Sequence, residues 1–505
     1  MDILALLGQG FLVALSPAHI ALALLGCVLG TLIGALPGLG PANGVAILIP
    51  LAFSLGLTPT ASLILLTSVY YGAMYGGRIS SILLNIPGDE PALMTTLDGY
   101  PLARQGRAGE ALALSAVASF IGALFATVGL MLFAPLLARF ALLFGPAEYF
   151  ALYGLAFAAL GGIAGRNPAK ALLAAGLGLA LALVGYDTTT GVPRYTFGLM
   201  ELFEGIDFLI AIVGLFAVSE VLLFLEHARG RAPRVPALGR ITVPLRVLRR
   251  CLPASLRGTL LGFFAGILPG AGASLGSFLA YTLEKRVSDR TGSFGRGDPR
   301  GVAAPEAGNN AAAGGALIPM LTLGVPGSGT TAVLLALLMA LGITPGPLLF
   351  AEKPELVWGL VAALFFANVV LLALNLPLVG LFVRLLALPA WILMPTVTLV
   401  AFLGIYSISN NSFDLLVMLA FGALGYLLRK LDVPLVPIIL GILLGNEMED
   451  NLRRALLISD GDWGVLVQSP LAKGLWLAAA AALLAPLVLG RLVERRRRAL
   501  FERGS

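Results

Sequence analysis

The charged residues of this chain are separated by long apolar stretches. No Lys, Arg, Asp or Glu lies between Asp2 and Arg78, a run with room for about three membrane spans of about 20 residues each. Further uncharged runs lie between residues 110 and 139, 148 and 166, 170 and 187, 257 and 284, 306 and 352, 355 and 384, 384 and 414, and 473 and 491. The pattern predicts roughly ten to twelve transmembrane segments.

These segments are predicted to be helices. Strands of a membrane barrel alternate apolar and polar residues, whereas a run such as AVLLALLMALGI is apolar on every side. Composition agrees, because 58% of the residues are hydrophobic and 12% are charged, against about 25% charged in soluble domains. The fold class is therefore an all-α integral membrane protein. The N-terminus, MDILALLGQG, has no basic region, so the first span itself is expected to act as the targeting signal.

The net charge of +6 comes largely from two arginine-rich segments. Their arginines are Arg229, Arg231, Arg234, Arg240, Arg246, Arg249, Arg250 and Arg257 in the middle, and Arg491, Arg495, Arg496, Arg497, Arg498 and Arg503 at the end. The positive-inside rule places both segments in the cytoplasm, with the N-terminus on the opposite side. Contact with anionic lipid is the alternative role. Membrane topology explains these charges without a nucleic acid partner.

The middle segment, residues 226–257, also gathers prolines and is interpreted as a linker between two halves. The halves share two motifs in the same order: GTLIGALPGLGPANG (30–44) matches GFFAGILPGAGASLG (262–276), and GGRISSILLNIPG (76–88) matches GALIPMLTLGVPG (315–327). The predicted division is a first repeat over 1–225, the linker over 226–257, a second repeat over 258–490 and a basic tail over 491–505. Because the second repeat follows a cytoplasmic segment and the first does not, the two are expected to be inverted.

Glycine and proline interrupt helices at these motifs, which is typical of secondary transporters. The predicted helix breaks are at Pro37, Gly38, Gly40, Pro269, Gly270 and Gly272. The predicted loop tips, between which the carboxylate substrate is expected to bind, are at Pro87, Gly88, Pro326 and Gly327. Irregular backbone at membrane depth is tolerated where it lines a cavity, and free N–H groups there suit a carboxylate. The alternative is a kink or close helix packing, which glycine also serves.

Five polar residues near these breaks are candidate substrate ligands: Asn43, Asn85, Asn309, Asn310 and Arg78. An asparagine amide can donate to a carboxylate and accept from a proton or a cation, although helix-to-helix hydrogen bonds are the alternative use. Arg78 is an ionisable group at the end of a long apolar run and is interpreted as a possible ligand. It could instead extend to the membrane surface or pair with Asp89 or Glu90.

Motifs of common enzymes are absent from the sequence. There is no HExxH, His19 and His227 are the only histidines, and no GxxxxGK[ST] phosphate-binding loop occurs. No metal or cofactor is expected, and Cys27 and Cys251 receive no role. Energy is expected from an ion gradient or a partner, with H⁺ and Na⁺ both open as the coupling ion.

Longer motifs resemble the large membrane subunit of the tripartite tricarboxylate transporters. The similar segments are GALPGLGPANG, YYGAMYGGRISSILLNIPGDEPALMTTLDGYPLARQGRAGEAL, GVPRYTFG, GLFAVSE, PEAGNNAAAGGALIPMLTLGVPGSGTTA, TPGPLLF, FGALGYLLRKLDVPLVPIILGILLG and LRRALLISDGDW. They span nearly the whole chain except the linker and the tail. Arg78 stands where a small polar residue such as Ser is expected in the family pattern, and Gly308 stands where Ala is expected.

The resemblance implies a permease of the bacterial inner membrane that imports di- or tricarboxylates or related organic acids. It also implies a small membrane subunit, a periplasmic solute-binding protein and a proton or sodium gradient. Two other classes stay open: a channel-type pore for small anions, which would need no binding protein, and a membrane-embedded enzyme. The sequence does not name the acid.

Overall fold

The computed structural model describes residues 3–36, 39–162, 168–187, 190–227, 238–270, 272–385, 395, 398–399, 401–403, 405–406 and 410–484. Within these residues the chain is helical apart from one short β-hairpin and its loops. The all-α fold class is confirmed. The predicted helix break at Pro37 and Gly38, most of the basic linker and the basic tail lie outside the described residues.

The first ten helices are α1 (Ile3–Ala14), α2 (Pro17–Ala35), α3 (Gly40–Ser54), α4 (Pro59–Leu84), α5 (Leu93–Leu102), α6 (Ala108–Ala141), α7 (Pro146–Gly162), α8 (Pro168–Ala182), α9 (Phe208–Ile212) and α10 (Ser219–His227). The later helices are α11 (Leu245–Ile267), α12 (Gly272–Ser288), α13 (Arg300–Gly315), α14 (Leu317–Leu323), α15 (Gly329–Ala340), α16 (Leu349–Glu352), α17 (Pro354–Asn375), α18 (Val379–Leu385), α19 (Ser412–Lys430), α20 (Val436–Ile458) and α21 (Pro470–Leu484). Short π-helical turns follow α5 and α9.

In the described part of the chain, five helical segments are long and apolar enough to cross a membrane: Pro17–Ala35, Leu93–Ala141, Phe208–Glu226, Pro354–Asn375 and Ser412–Lys430. Five shorter apolar helices accompany them, among them α1, α3 and α15. The protein is therefore a multi-pass helical membrane protein. The count of ten to twelve spans stays a prediction.

The chain divides into two compact units. The first comprises Met1–Ala141, Asp207–Leu268 and Gly272–Leu427, and the second comprises Leu142–Ile206, Pro269–Ala271 and Leu428–Ser505. These two units do not coincide with the two repeats predicted from sequence similarity, residues 1–225 and 258–490. The repeats therefore stay a prediction. The described end of the predicted linker is partly helical, because α11 already begins at Leu245.

Two helices form the centre of the first unit. Every residue of α4 from Ala61 to Leu83 is buried, and every residue of α13 from Gly301 to Gly315 is buried. Surrounding protein therefore covers all sides of both helices, which explains how they carry Tyr, Ser, Asn and Glu side chains in a membrane protein.

Glycines at every fourth position hold one further helix against each central helix. On α2, a Cβ at Gly26, Gly30 or Gly34 would overlap the carbonyl groups of residues 65, 69 and 73 of α4. On α11, a Cβ at Gly258, Gly262 or Gly266 would overlap those of residues 304, 308 and 312 of α13. Small residues at this spacing let helix backbones approach closely in a membrane.

The two contacts share one register. The alignment that matches residue 30 with 262 also matches the other contact glycines of α2 with those of α11. The alignment that matches residue 76 with 315 also matches residue 69 with 308, whose carbonyl groups meet those glycines. The helix pairs α2–α4 and α11–α13 therefore have matching glycines on matching carbonyls.

The second unit contains α7, α8, α20, α21 and the hairpin. Strands β1 (Gly185–Tyr186) and β2 (Pro193–Arg194) are antiparallel. A Cβ at Gly178 of α8 would overlap the carbonyl of Ile438 on α20, another close helix contact. Asp187, Arg194, Glu449 and Arg453 form an ion-pair cluster that ties the hairpin to α20.

Candidate functional site

Both LPGxG motifs interrupt a helix in the described structure. The first break separates the end of α2 at Ala35 from the start of α3 at Gly40, and the second separates the end of α11 at Ile267 from the start of α12 at Gly272. Gly40, Gly270 and Gly272 have φ of 62°, 74° and 60°, a conformation that favours glycine. Pro269 lies in the turn that precedes Gly270. The glycines are therefore needed to turn the chain.

The loops at NIPG and GVPG begin with the same turn. Asn85 ends α4 in the left-handed conformation with φ of 60°, and Gly324 ends α14 with φ of 67°. Asparagine and glycine are the residues that tolerate this helix-ending conformation best. Helix termination explains Asn85, whose side chain is exposed.

The residue after each tip accepts the backbone N–H of the residue three positions later and lies against an LPGxG glycine. Asp89 Oδ1 accepts the Ala92 N–H at 2.9 Å, and Ser328 Oγ accepts the Thr331 N–H at 3.2 Å. A Cβ on Gly40 would lie 3.7 Å from the Asp89 Cβ, and a Cβ on Gly272 would lie 3.6 Å from the Ser328 Cβ. The two loop modules are thus built alike, with a carboxylate in one and a hydroxyl in the other.

The tip glycines serve packing in this structure. The Gly88 N–H donates to the Gly77 carbonyl at 3.3 Å, so that donor is already used within the protein. A Cβ on Gly327 would lie 2.7 Å from the Gly266 carbonyl oxygen. Pro326 is buried beside Gly327, and Pro87 is partly exposed. Close packing, which was the alternative role for glycine at these motifs, accounts for both glycines.

The two asparagines of α13 are buried with unused hydrogen-bonding groups. Asn309 is 1% exposed and neither atom of its amide has a partner, while the Asn310 Nδ2 donates to the Glu306 carbonyl at 3.0 Å and its Oδ1 has none. Leaving a buried polar group unpaired costs about 1–3 kcal/mol. Such groups are typical of a site that receives a partner.

Tyrosines of α4 lie beside this part of α13. The Tyr70 hydroxyl donates to the Ala313 carbonyl at 3.4 Å, one turn beyond Asn309, and a Cβ on Gly314 would lie 2.6 Å from the Tyr71 hydroxyl oxygen. The hydroxyls of Tyr71 and Tyr75 are buried without a partner. The interface of α4 and α13 is therefore rich in unused donors and acceptors.

The remaining predicted ligands make contacts of their own. The Asn43 Nδ2 donates to Glu220 Oε2 on α10 at 3.4 Å. Arg78 is completely buried and donates to the carbonyls of Tyr75 and Leu112, to Ser115 Oγ at 2.7 Å and to Asn375 Oδ1 at 2.9 Å. The pairing of Arg78 with Asp89 or Glu90 that the sequence suggested is not among these bonds. Its ligand role stays a prediction, and its bonds tie α4 to α6 and α17.

Glu306 is a buried polar residue that the sequence reasoning missed. Its carboxylate accepts the Thr95 hydroxyl of α5 at 2.5 Å and the Ser119 hydroxyl of α6 at 3.0 Å. The sequence does show a lone carboxylate directly before the AGNN segment. That carboxylate was interpreted only as the boundary of an uncharged run. Glu306 fixes the orientation of α13 between α5 and α6.

Asp98 of α5 is the second missed residue. Its Oδ1 accepts the N–H groups of Gly295, Gly297 and Asp298 at 2.8–2.9 Å, and its Oδ2 accepts the Tyr281 hydroxyl at 3.0 Å. Asp98 therefore anchors the polar loop between α12 and α13. Burial raises the pKa of Asp298 in that loop, but the Arg300 guanidinium and further donors outweigh it and hold the pKa at about 2.

The fold and these loops define a class: a multi-pass helical membrane protein with paired interrupted helices around a buried polar interface. The family model of the tripartite tricarboxylate transporter TctA family matches residues 20–440, so the chain belongs to that family. It is 42% identical over 94% of both chains to a 52.8 kDa protein of the TAR-I ttuC' 3' region of Agrobacterium vitis.

A second relative from Agrobacterium vitis, in the TAR-II ttuC' 3' region, is 43% identical over 42% of this chain and 88% of the relative. No solved structure matches the chain. The family resemblance inferred from the motifs is confirmed, and the chain is of a transporter family.

Proposed function

We propose that the chain is the permease of a tripartite system that imports di- or tricarboxylates across the bacterial inner membrane. A periplasmic solute-binding protein delivers the acid, a small membrane subunit completes the complex, and an ion gradient drives uptake. Membership of the TctA family supports this proposal. The observation that carries it is the unused amide of Asn309, together with the unused Oδ1 of Asn310, inside the protein.

The chemistry of this site suits a carboxylate. An anion that leaves water must regain several hydrogen bonds, and the Asn309 amide and the Tyr71 and Tyr75 hydroxyls are donors without a partner. These donors are neutral, so they attract an anion without holding it as tightly as a fixed cation. Release on the other side of the membrane then stays fast.

The matched helix contacts support alternating access. Two modules of similar construction, each with an interrupted helix and a glycine-packed partner, are the arrangement in which one repeat moves against the other around a central site. α3 follows the first LPGxG break and packs against α15, which follows the GVPG tip. α12 follows the second LPGxG break and packs against α5, which follows the NIPG tip. The Ser277 hydroxyl donates to the Pro91 carbonyl at 2.7 Å across the second of these contacts.

We expect Asn310→Ala to reduce citrate uptake by up to about 10-fold, because the free Asn310 Oδ1 can accept the hydroxyl of citrate and such a hydrogen bond contributes about 0.5–1.5 kcal/mol. The measurement is uptake of labelled citrate into proteoliposomes that contain the permease, the small subunit and the binding protein. Asn451→Ala is the matched control, because the Asn451 Nδ2 also donates to the carbonyl four residues earlier but the side chain is not buried.

Equal uptake by the native protein, Asn310→Ala and Asn451→Ala would place the substrate elsewhere, with Arg78 as the next candidate. Citrate flux that continues at full rate without the binding protein would favour the anion channel over the transporter.

A further inference from the structure

Six carboxylates are buried in the described part of the chain: Asp89, Asp98, Asp187, Glu284, Asp298 and Glu306. In five of them both oxygens accept hydrogen bonds, for example from Arg257 at Glu284 and from Thr95 and Ser119 at Glu306. Asp89 differs. Its Oδ1 accepts the Ala92 N–H, but its Oδ2 has no partner, although the residue is only 8% exposed.

The charged groups that face Asp89 do not compensate a negative charge. Glu90 and Glu306 are acidic, and Tyr70 faces Asp89 from α4. α3, which contributes Gly40, carries no charged residue. Arg78 of α4 is a cation, but its guanidinium donates hydrogen bonds to Leu112, Ser115 and Asn375 and not to Asp89. An unpaired buried carboxylate is costly, so this position favours a neutral, protonated group.

We propose that Asp89 Oδ2 is the proton-coupling site of the permease, an inference that rests on the proposed function. A proton enters from the periplasmic side, binds Oδ2, crosses with the organic acid and leaves to water on the cytoplasmic side. No covalent bond other than the O–H bond forms or breaks. Protonation removes a negative charge near the incoming anion, so the acid and the proton favour each other's binding.

The second repeat module has no equivalent group. Ser328 occupies the matching position, accepts the N–H of the residue three positions later, as Asp89 does, and does not titrate. At this position the first module therefore carries a titratable residue and the second does not. A proton needs only the one free oxygen that Asp89 offers, whereas a metal cation needs several oxygen ligands.

Asp89→Asn is the direct test, because asparagine keeps the oxygen that accepts the Ala92 N–H while it cannot carry the proton. In proteoliposomes with the complete system and a luminal pH dye, we expect citrate uptake driven by a pH gradient to fall at least about 10-fold. Exchange of labelled for unlabelled citrate at equal pH should continue, without net proton movement. Glu90→Gln, at the exposed neighbouring carboxylate, should retain both gradient-driven uptake and proton movement.

A second measurement needs neither the partners nor transport. Dicyclohexylcarbodiimide adds to protonated carboxyl groups in apolar surroundings, and peptide mass spectrometry locates the adduct. We expect labelling at Asp89 that decreases as the pH rises, with Asp98 and Glu306 as internal controls that stay unlabelled. Asp89→Asn should show no adduct at this position.

The outcomes separate the inference from the proposed function. Proton movement with citrate in Asp89→Asn, or uptake in the native protein that follows sodium and not pH, would overturn the assignment of Asp89 while leaving carboxylate import intact. Absence of the adduct at every pH would also overturn it. A native protein that takes up neither citrate nor any other di- or tricarboxylate, but is labelled at Asp89 as expected, would contradict the proposed function while the protonation of Asp89 would stand.

Discussion

Gly262→Val is expected to destroy the packing of α11 on α13 and with it most of the folded protein. A Cβ at this position would overlap the Gly308 carbonyl oxygen and lie 2.6 Å from the Gly308 carbonyl carbon. Overpacking in a core costs about 1–3 kcal/mol when side chains can move, and here backbone must move against backbone. The measurements are the monodisperse fraction after detergent extraction and the thermal unfolding midpoint.

The same substitution at Gly30 should have a similar effect, because this glycine makes the matching contact with the Val69 carbonyl. Gly176→Val is the control, since nothing lies within 4 Å of a Cβ at that exposed position of α8. A Gly262→Val protein with native yield and midpoint would show that α11 and α13 do not pack as described.

Asn309→Leu is expected to abolish citrate uptake while leaving the protein as stable as the native form or more so. Leucine has a similar volume and removes two buried polar atoms without partners, each of which costs about 1–3 kcal/mol in the empty protein. The thermal midpoint should therefore stay or rise, and uptake should fall by well over about 10-fold because the substrate loses an amide donor.

Asn451→Leu serves as the control for this substitution, because it replaces an asparagine that is not buried and that already donates to the Glu447 carbonyl. Citrate uptake is measured per inserted protein, beside the unfolding midpoint. Normal uptake by Asn309→Leu would exclude this residue from the site. A lowered midpoint would show that Asn309 stabilises the folded protein.

Much of the fold could be predicted because helix breaks leave a local signal. LPGxG requires left-handed glycines, and the described structure places Gly40 and Gly272 at helix starts as expected. The close contacts of Gly30 and Gly262 were not predicted, because a glycine can serve a turn or a helix contact and only the neighbouring helix decides which. Gly327 has the same two roles to separate. A Gly327→Val substitution would disturb the packing against Gly266 as well as any substrate contact, so it does not distinguish them.

The candidate site could be predicted only in part. Asn309 and Asn310 were recognised as polar residues inside an apolar segment, and the structure shows that they are buried with unused groups. Asp89 and Glu306 were missed as site residues, because Asp89 was considered only as a pairing partner of Arg78 and Glu306 only as the boundary of an uncharged run. Which charges have partners depends on contacts between distant segments, as with Glu306 and Thr95.

The initial rate of labelled citrate uptake against citrate concentration tests the central claim most directly. It is measured in proteoliposomes that contain the permease and the small subunit, with and without the binding protein. A tripartite carboxylate transporter predicts a rate that saturates and is lost when either the binding protein or the ion gradient is removed. A flux that rises linearly with citrate and persists without both would contradict it.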